Sequence, residues 1–139
     1  MAALEQEDGF GLIHADCIAK NMLWQGDALC VIDFDDCAYG YYLYDLAPFL
    51  LNLSGEPHYE QAKAALWDGY TAVRPRPQHY REYLETFIAV RHVASCYWVA
   101  GNQDNPYVRG KATELIRLRV QELADFLRTG KLERRSMQL

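Results

Sequence analysis

The chain has 139 residues, of which 50% are hydrophobic and 24% charged, and its formal net charge is -5. This length is sufficient for one domain with a hydrophobic core, and the composition excludes a disordered or collagen-like chain. An acidic chain without a clustered basic face is not expected to bind nucleic acid, whereas it would suit a cationic small molecule. No apolar run reaches the roughly 18 residues that a membrane-spanning helix needs, so we expect no membrane partner.

The cysteine pattern indicates the compartment. Cys17, Cys30, Cys37 and Cys96 form no C-x-x-C pair, and no secretory signal sequence precedes them. We therefore expect reduced thiols in a cytoplasmic protein rather than disulfides or a zinc site.

The first third of the chain predicts short strands and loops. Residues 1–8 are polar and acidic and predict the frayed end of a helix. Residues 9–14 predict a strand and 15–20 a loop. Residues 21–24 and 28–33 predict two strands joined by a turn at Gln25-Gly26-Asp27, which makes a small hairpin. Residues 34–41 predict a loop, because Gly40 lies there among acidic and aromatic residues.

The rest of the chain predicts four helices, over residues 43–53, 58–73, 78–100 and from about 107 to 129, with Gly130 as the last stop. Helical spacing of apolar residues predicts the buried faces of the last two helices. The predicted face of the third helix comprises Tyr80, Leu84, Phe87, Val90, Ala94 and Tyr97. That of the fourth comprises Ile116, Val120, Leu123 and Leu127. The element order predicts an α+β fold.

Residues able to handle a phosphate and a metal follow two of the predicted strands. Asp16 lies two residues after His14, Asn21 lies five residues further on, and Asp33 ends the apolar run 29–32. Phosphoryl transfer needs such a set: a base that orients a hydroxyl, and an amide oxygen and a carboxylate that hold Mg²⁺ against a polyphosphate.

The segments LIHADCIAKNML and VIDFDDCAYGYYLYDLA follow the pattern H-x-D-x-x-x-x-N with a later strand-borne Asp. In wording and spacing they resemble the C-terminal lobe of the aminoglycoside phosphotransferase family, which includes choline-kinase-like and homoserine-kinase-like small-molecule kinases. The resemblance covers residues 11–47. It implies a protein-kinase-like C-terminal lobe, with a small hairpin sheet at the cleft followed by about four helices.

The resemblance also implies a role for individual residues. Asp16 matches the catalytic base, and Asn21 and Asp33 match the ligands of the Mg²⁺ that accompanies ATP or GTP. Asp35 matches an acidic residue that lies near the metal in this family. Lys20 is a candidate from its position alone: next to Asn21 it could reach a nucleotide phosphate, whereas the family more often has a small residue here, and a surface lysine is the alternative.

Two further residues are expected to support the site rather than to react. His14 is expected to bond backbone groups around the metal loop. Asp45 resembles the carboxylate that binds the catalytic-loop backbone in kinase-like folds.

The implied activity is the ATP-dependent transfer of a γ-phosphoryl group to a hydroxyl of a small molecule. Complete members of the family also have an N-terminal lobe that covers the nucleotide phosphates, whereas only ten residues precede Gly11. We therefore expect one domain, a C-terminal lobe, with catalytic and metal loops in residues 9–41, a helical part in 42–130 and a tail in 131–139. Its exposed apolar surface would favour self-association or pairing with the absent lobe, and turnover by this chain alone is an open question.

Two alternatives remain at this stage. The same fold can act as a binding or regulatory module that lacks turnover. A phosphatase of the D-x-D type would use Asp33 as nucleophile and Asp35 as acid and base, but no alternating strand and helix units follow them.

Some residues are candidates for a substrate pocket without a motif to support them. The tyrosines at positions 39, 41, 42 and 44 are expected to pack in or around the core more readily than to flank a substrate. Glu85, His92 and Trp98 lie on the third predicted helix. In the family that the chain resembles, substrate specificity is determined in the helical part.

Overall fold

The computed structural model describes residues 9–76 and 78–135. The predicted frayed helix at residues 1–8 and the end of the predicted tail, 136–139, lie outside the described residues. The described part has four short strands followed by four α-helices, which confirms the predicted α+β class.

Strands β1 (Phe10–Ile13) and β4 (Ala38–Tyr41) form an antiparallel pair. The prediction of a loop over residues 34–41 was therefore wrong for its second half. Gly11 pairs with Gly40, and a Cβ on Gly11 would lie 2.0 Å from the Tyr42 hydroxyl oxygen. A Cβ on Gly40 would lie 2.5 Å from Cδ1 of Ile13. Glycine at residue 40 thus leaves room for the Ile13 side chain within the strand and does not break the strand.

Strands β2 (Met22–Gln25) and β3 (Ala28–Val31) form the predicted hairpin, with Met22 opposite Val31 and Gln25 opposite Ala28. One further bond, from the Ile32 amide to the Asn21 carbonyl oxygen at 2.9 Å, extends the pairing beyond both strands. The hairpin therefore places the residues on either side of it next to each other.

The helices are α1 (Ala47–Leu53), α2 (Tyr59–Val73), α3 (Tyr83–Gly101) and α4 (Ala112–Thr129). Short 3-10 turns at Tyr42–Leu46 and Gln78–Glu82 precede α1 and α3, so both helices begin later than predicted. Pro48 lies in the first turn of α1, where its missing N–H costs nothing. Helix α4 begins five residues later than expected and ends before Gly130, as predicted. Among the described residues, no helix is long and apolar enough to cross a membrane.

The core forms where α1, α3 and the turn before α1 meet. Its buried members are Leu43, Leu46, Ala47, Leu50, Leu51, Tyr59, Trp67, Tyr80, Leu84, Phe87, Ile88 and Leu132. Leu132, beyond the last helix, is fully buried and attaches the C-terminal segment to this core.

The predicted buried faces of the last two helices were partly wrong. On α3, Val90 and Tyr97 are exposed, whereas His92 is buried. On α4, Val120 and Leu127 are exposed, and Glu122 is the buried residue. The two helices pack through the polar pair His92 and Glu122. The apolar residues alone therefore predicted a buried face on each helix that differs from the face in contact.

Candidate active site

The loop after β1 is held by the carboxylate of Asp45. Its Oδ2 accepts the His14 N–H at 2.8 Å and its Oδ1 accepts the Ala15 N–H at 2.7 Å. Ala15 has a positive φ of 66°, a conformation that costs a residue with a side chain free energy. Asp45 thus fixes a strained turn immediately before Asp16, which is a supporting function of the predicted kind.

The imidazole of His14 joins the two loops of the site. Nε2 of His14 donates to the Ile32 carbonyl oxygen at 2.9 Å, while Nδ1 accepts the Asp16 N–H at 3.2 Å. Because one ring nitrogen donates and the other accepts, the imidazole is the neutral tautomer with its proton on Nε2. The ring also packs on Phe34, with centroids 4.6 Å apart. Both nitrogens are thereby engaged in positioning the two loops.

Asp16 and Asn21 are both buried and form a pair. Nδ2 of Asn21 donates to Oδ2 and to the carbonyl oxygen of Asp16, each at 3.0 Å. An amide oriented in this way directs its Oδ1 away from Asp16, and a carbonyl oxygen of this type is a ligand that Mg²⁺ accepts. The Asn21 amide thus orients the Asp16 carboxylate through its nitrogen and has its oxygen left for a cation.

Asp33 is brought next to Asn21 by the hairpin. The residue before it, Ile32, bonds Asn21 through its N–H and His14 through its carbonyl oxygen. Asp33 has a positive φ of 67° and an exposed side chain. A non-glycine residue in this conformation is uncommon, and such residues concentrate at functional sites. Through Ile32 the structure therefore joins the loop that carries Asp33 to the loop that carries Asp16 and Asn21.

The remaining predicted site residues have less defined surroundings. Asp35, Asp36 and Lys20 are exposed. No cluster of three or more His, Cys, Asp or Glu side chains suited to a metal exists within residues 9–76 and 78–135. The oxygen donors Asn21 and Asp33 fit Mg²⁺, which completes its shell with phosphate oxygens and water.

Arg91 is a site residue that the sequence analysis missed. It extends from α3, and its guanidinium forms a salt bridge with Oδ1 of Asp16. With Asn21 on Oδ2, both oxygens of the Asp16 carboxylate have a partner. The two residues are 75 positions apart in sequence, so no local pattern connects them. The sequence signal that could have identified Arg91 was a charged residue within a largely apolar helix.

Cys17 lines an apolar cavity of about 610 Å³ behind the loop, together with Met22, Trp24 and Phe49. Burial, followed by the negative charges of Asp45 and Asp16, raises the pKa of the Cys17 thiol to about 11. The thiol is thus protonated at neutral pH and is a poor nucleophile.

The other pocket candidates do not gather around Asp16. The Glu85 carboxylate accepts bonds from Tyr59, Lys63 and the Leu132 N–H, whereas Trp98 is half exposed. His92 is buried against Glu122, with 2.7 Å between Nε2 and Oε2.

Three of the four clustered tyrosines take part in ring contacts. Tyr41 and Tyr44 pack on Phe87, and Tyr42 lies under the Arg74 guanidinium at 3.8 Å. These contacts agree with the packing role predicted for the cluster.

Known proteins share the sequence motifs and the fold described above. The sequence pattern that defines the phosphotransferase enzyme family, APH, matches residues 1–84, more than half of the chain. The chain belongs to this phosphotransferase family. Amicoumacin kinase of Bacillus subtilis (strain 168) is 32% identical to it over 53 residues, which are 38% of this chain and 16% of that kinase.

Two solved structures share the fold of this chain. A microcompartment-associated aminopropanol kinase aligns with a TM-score of 0.74 and 23% identity, over 96% of this chain and 45% of the kinase. The amicoumacin kinase hAmiN in complex with AMP-PNP, Ca²⁺ and Ami aligns with a TM-score of 0.72 and 18% identity, over 89% of this chain and 42% of that one. The chain thus spans less than half of the length of each structure, and at these identities the similarity establishes the kinase-like fold alone.

Proposed function

We propose that this chain is the catalytic lobe of an ATP- or GTP-dependent small-molecule kinase, and that it transfers the γ-phosphoryl group to a hydroxyl of the acceptor. The observation that supports this most strongly is the bonded pair of Asp16 and Asn21, to which Ile32, the residue before Asp33, is joined by hydrogen bonds to Asn21 and His14. In this proposal Asp16 accepts a hydrogen bond from the acceptor hydroxyl and takes its proton as the phosphoryl group transfers.

Asn21 Oδ1 and the Asp33 carboxylate would hold Mg²⁺ bound to the nucleotide. The ion would neutralise charge on the phosphates. Asp35 would contact this ion or its water shell, and Lys20 would reach a phosphate oxygen. The fold similarity to hAmiN supports a nucleotide and a divalent metal here, because that kinase was solved with AMP-PNP and Ca²⁺.

The acceptor is a small hydroxyl-bearing molecule. An acceptor with a cationic group is the expectation from the acidic chain, but Arg91 occupies the space next to Asp16. A positive charge close to the reacting hydroxyl would be repelled by this guanidinium. We therefore propose that any cationic group of the acceptor lies away from Arg91.

A second lobe would cover the face that carries the hairpin. Large apolar side chains are exposed on β1, on both hairpin strands and in the segment after β3: Phe10, Leu12, Leu23, Trp24, Leu29, Val31, Ile32 and Phe34. Exposed apolar groups on this scale mark a contact surface. We propose that a nucleotide-covering lobe docks there, and that self-association through the same face is the alternative when that lobe is absent.

The test is ATP binding by calorimetry with and without Mg²⁺, on the wild-type chain and on the variants Asp33→Ala, Asp16→Ala and the exposed control Asp68→Ala. The proposal expects binding that requires Mg²⁺, is lost in Asp33→Ala and persists in Asp16→Ala and Asp68→Ala. Circular dichroism establishes that each variant is folded.

Equal nucleotide affinity in the wild type and Asp33→Ala would contradict the metal assignment. A folded wild-type chain that binds no nucleotide would favour the alternative, a binding or regulatory module. Orientation of the reactants accounts for roughly 7 to 11 kcal/mol of a barrier, so a lobe that does not hold its nucleotide has no useful turnover.

A further inference from the structure

A pocket of about 510 Å³ lies between the end of α1, helix α4 and the C-terminal segment. It shares no lining residue with the catalytic loop or with the Asp33 loop. Its polar lining comprises Asn52, Ser54, Glu56, Tyr107, Lys111, Arg119, Glu122, Arg134 and Arg135. Four of these side chains are cationic and two, Glu56 and Glu122, are carboxylates, so the cations exceed the anions by two in a chain whose net charge is -5.

The wall of this pocket is fixed by backbone contacts. Ser54 Oγ donates to the Leu132 carbonyl oxygen at 2.6 Å and accepts the Arg134 N–H at 3.2 Å. A Cβ on Gly55 would lie 2.5 Å from the Arg134 carbonyl oxygen, so only glycine allows this approach. The arrangement of the C-terminal segment is therefore set by the fold of the core.

Three of the cations have no carboxylate partner in the part of the chain that the structure describes. Elsewhere Arg91, Lys63 and Lys131 form salt bridges. Within residues 9–76 and 78–135, by contrast, no carboxylate lies at salt-bridge distance from Lys111, Arg119 or Arg134. Oxygens of Glu122 are already bonded by His92 and by the Arg135 N–H.

Arg119 is half-buried, and its guanidinium donates to the Ser95 carbonyl oxygen on α3. Burial lowers the pKa of Arg119; the nearby charge of Arg134 also lowers it, while Cys96 and Glu122 act in the opposite direction. The Glu122 carboxylate offsets part of the repulsion between the two guanidinium groups, and a bound anion would offset more of it.

We propose that this pocket binds the phosphate group of a small anionic ligand, with Arg119 and Arg134 as its principal donors and Lys111 as a third cation. Guanidinium groups bind two oxygens of one phosphate in parallel, and an ammonium adds a point charge. The polar side chains of Asn52 and Tyr107 are available for the rest of the ligand.

Titration calorimetry with inorganic phosphate, against chloride at equal ionic strength and without nucleotide, tests this site. The variants are Arg119→Gln, Lys111→Gln and Arg117→Gln, the last being an exposed arginine of α4 outside the pocket. We expect saturable binding in the wild type and in Arg117→Gln. Loss of a charge-assisted bond should raise the Kd about tenfold or more in Arg119→Gln. Lys111→Gln should raise it less.

Unchanged phosphate affinity in both Arg119→Gln and Lys111→Gln would overturn the proposal. Lys111→Gln keeps the test decisive if Arg119→Gln fails to fold, because Lys111 donates no side-chain bond to the described residues. Phosphate binding that disappears in Asp33→Ala but persists in the pocket variants would place the anion at the nucleotide site and also overturn the proposal. Equal binding of citrate would reject the assignment to phosphate.

Discussion

The variant Asp45→Ala tests the support of the catalytic loop. It removes the acceptor of two backbone bonds, from His14 at 2.8 Å and from Ala15 at 2.7 Å. A hydrogen bond to a charged group contributes about 1.5 to 3 kcal/mol, so the two together give about 3 to 6 kcal/mol. Domains of this size have a free energy of unfolding of about 5 to 15 kcal/mol, so Asp45→Ala should remove a large part of it.

Urea unfolding measures this loss, with Asp68→Ala as the control for removal of an exposed aspartate. The control should change the free energy of unfolding by less than about 0.5 kcal/mol. Asp45→Asn retains one acceptor oxygen and should lose about half as much as Asp45→Ala.

Hydrogen exchange provides the local readout, because the amides of His14 and Ala15 should lose protection in Asp45→Ala before the core does. A loss below about 1 kcal/mol in Asp45→Ala, or unchanged protection of these two amides, would refute the reasoning.

Two other predictions concern buried groups. Cys17 has a pKa of about 11, whereas the ordinary pKa of a thiol is 9.0, so at pH 8 its thiolate fraction is about 100-fold lower than that of an ordinary thiol. Exposed Cys30 and Cys37 should therefore be labelled by a thiol reagent long before Cys17. Mass spectrometry identifies the labelled residues, and labelling of Cys17 at the rate of Cys30 would contradict the burial. Glu122→Leu should cost about 3 to 5 kcal/mol because it leaves His92 buried without its partner, and the double variant with His92→Leu should lose less than the sum of the single ones. A double-mutant cycle by urea unfolding checks this, and additive losses would show that the pair does not interact.

The local patterns of the sequence were sufficient for the hairpin and the motif loops. Gln25-Gly26-Asp27 between two apolar runs predicted the turn between β2 and β3, which the structure confirms. The roles given to Asp16, Asn21 and Asp33 stay predictions, although the structure joins the two loops that carry these residues. The loop expected at residues 34–41 was wrong for residues 38–41, because Gly40 was taken as a break. Gly40 pairs with Gly11, on a strand 29 positions earlier, and the local sequence around Gly40 does not predict a pairing over that distance.

The sequence by itself determined the motif loops, since the type and spacing of polar residues after apolar runs depend on a few neighbouring positions. The phosphoryl-transfer chemistry that these loops predict stays a proposal. The sequence also determined the family, which the comparisons confirm. Only the tertiary structure decided which distant groups meet these residues: Asp45 at the backbone before Asp16, Arg91 at the Asp16 carboxylate, and His92 against Glu122. These contacts join positions 30 or more residues apart. Such contacts depend on how the helices pack against one another. The apolar periodicity of one helix does not specify the orientation of its neighbour.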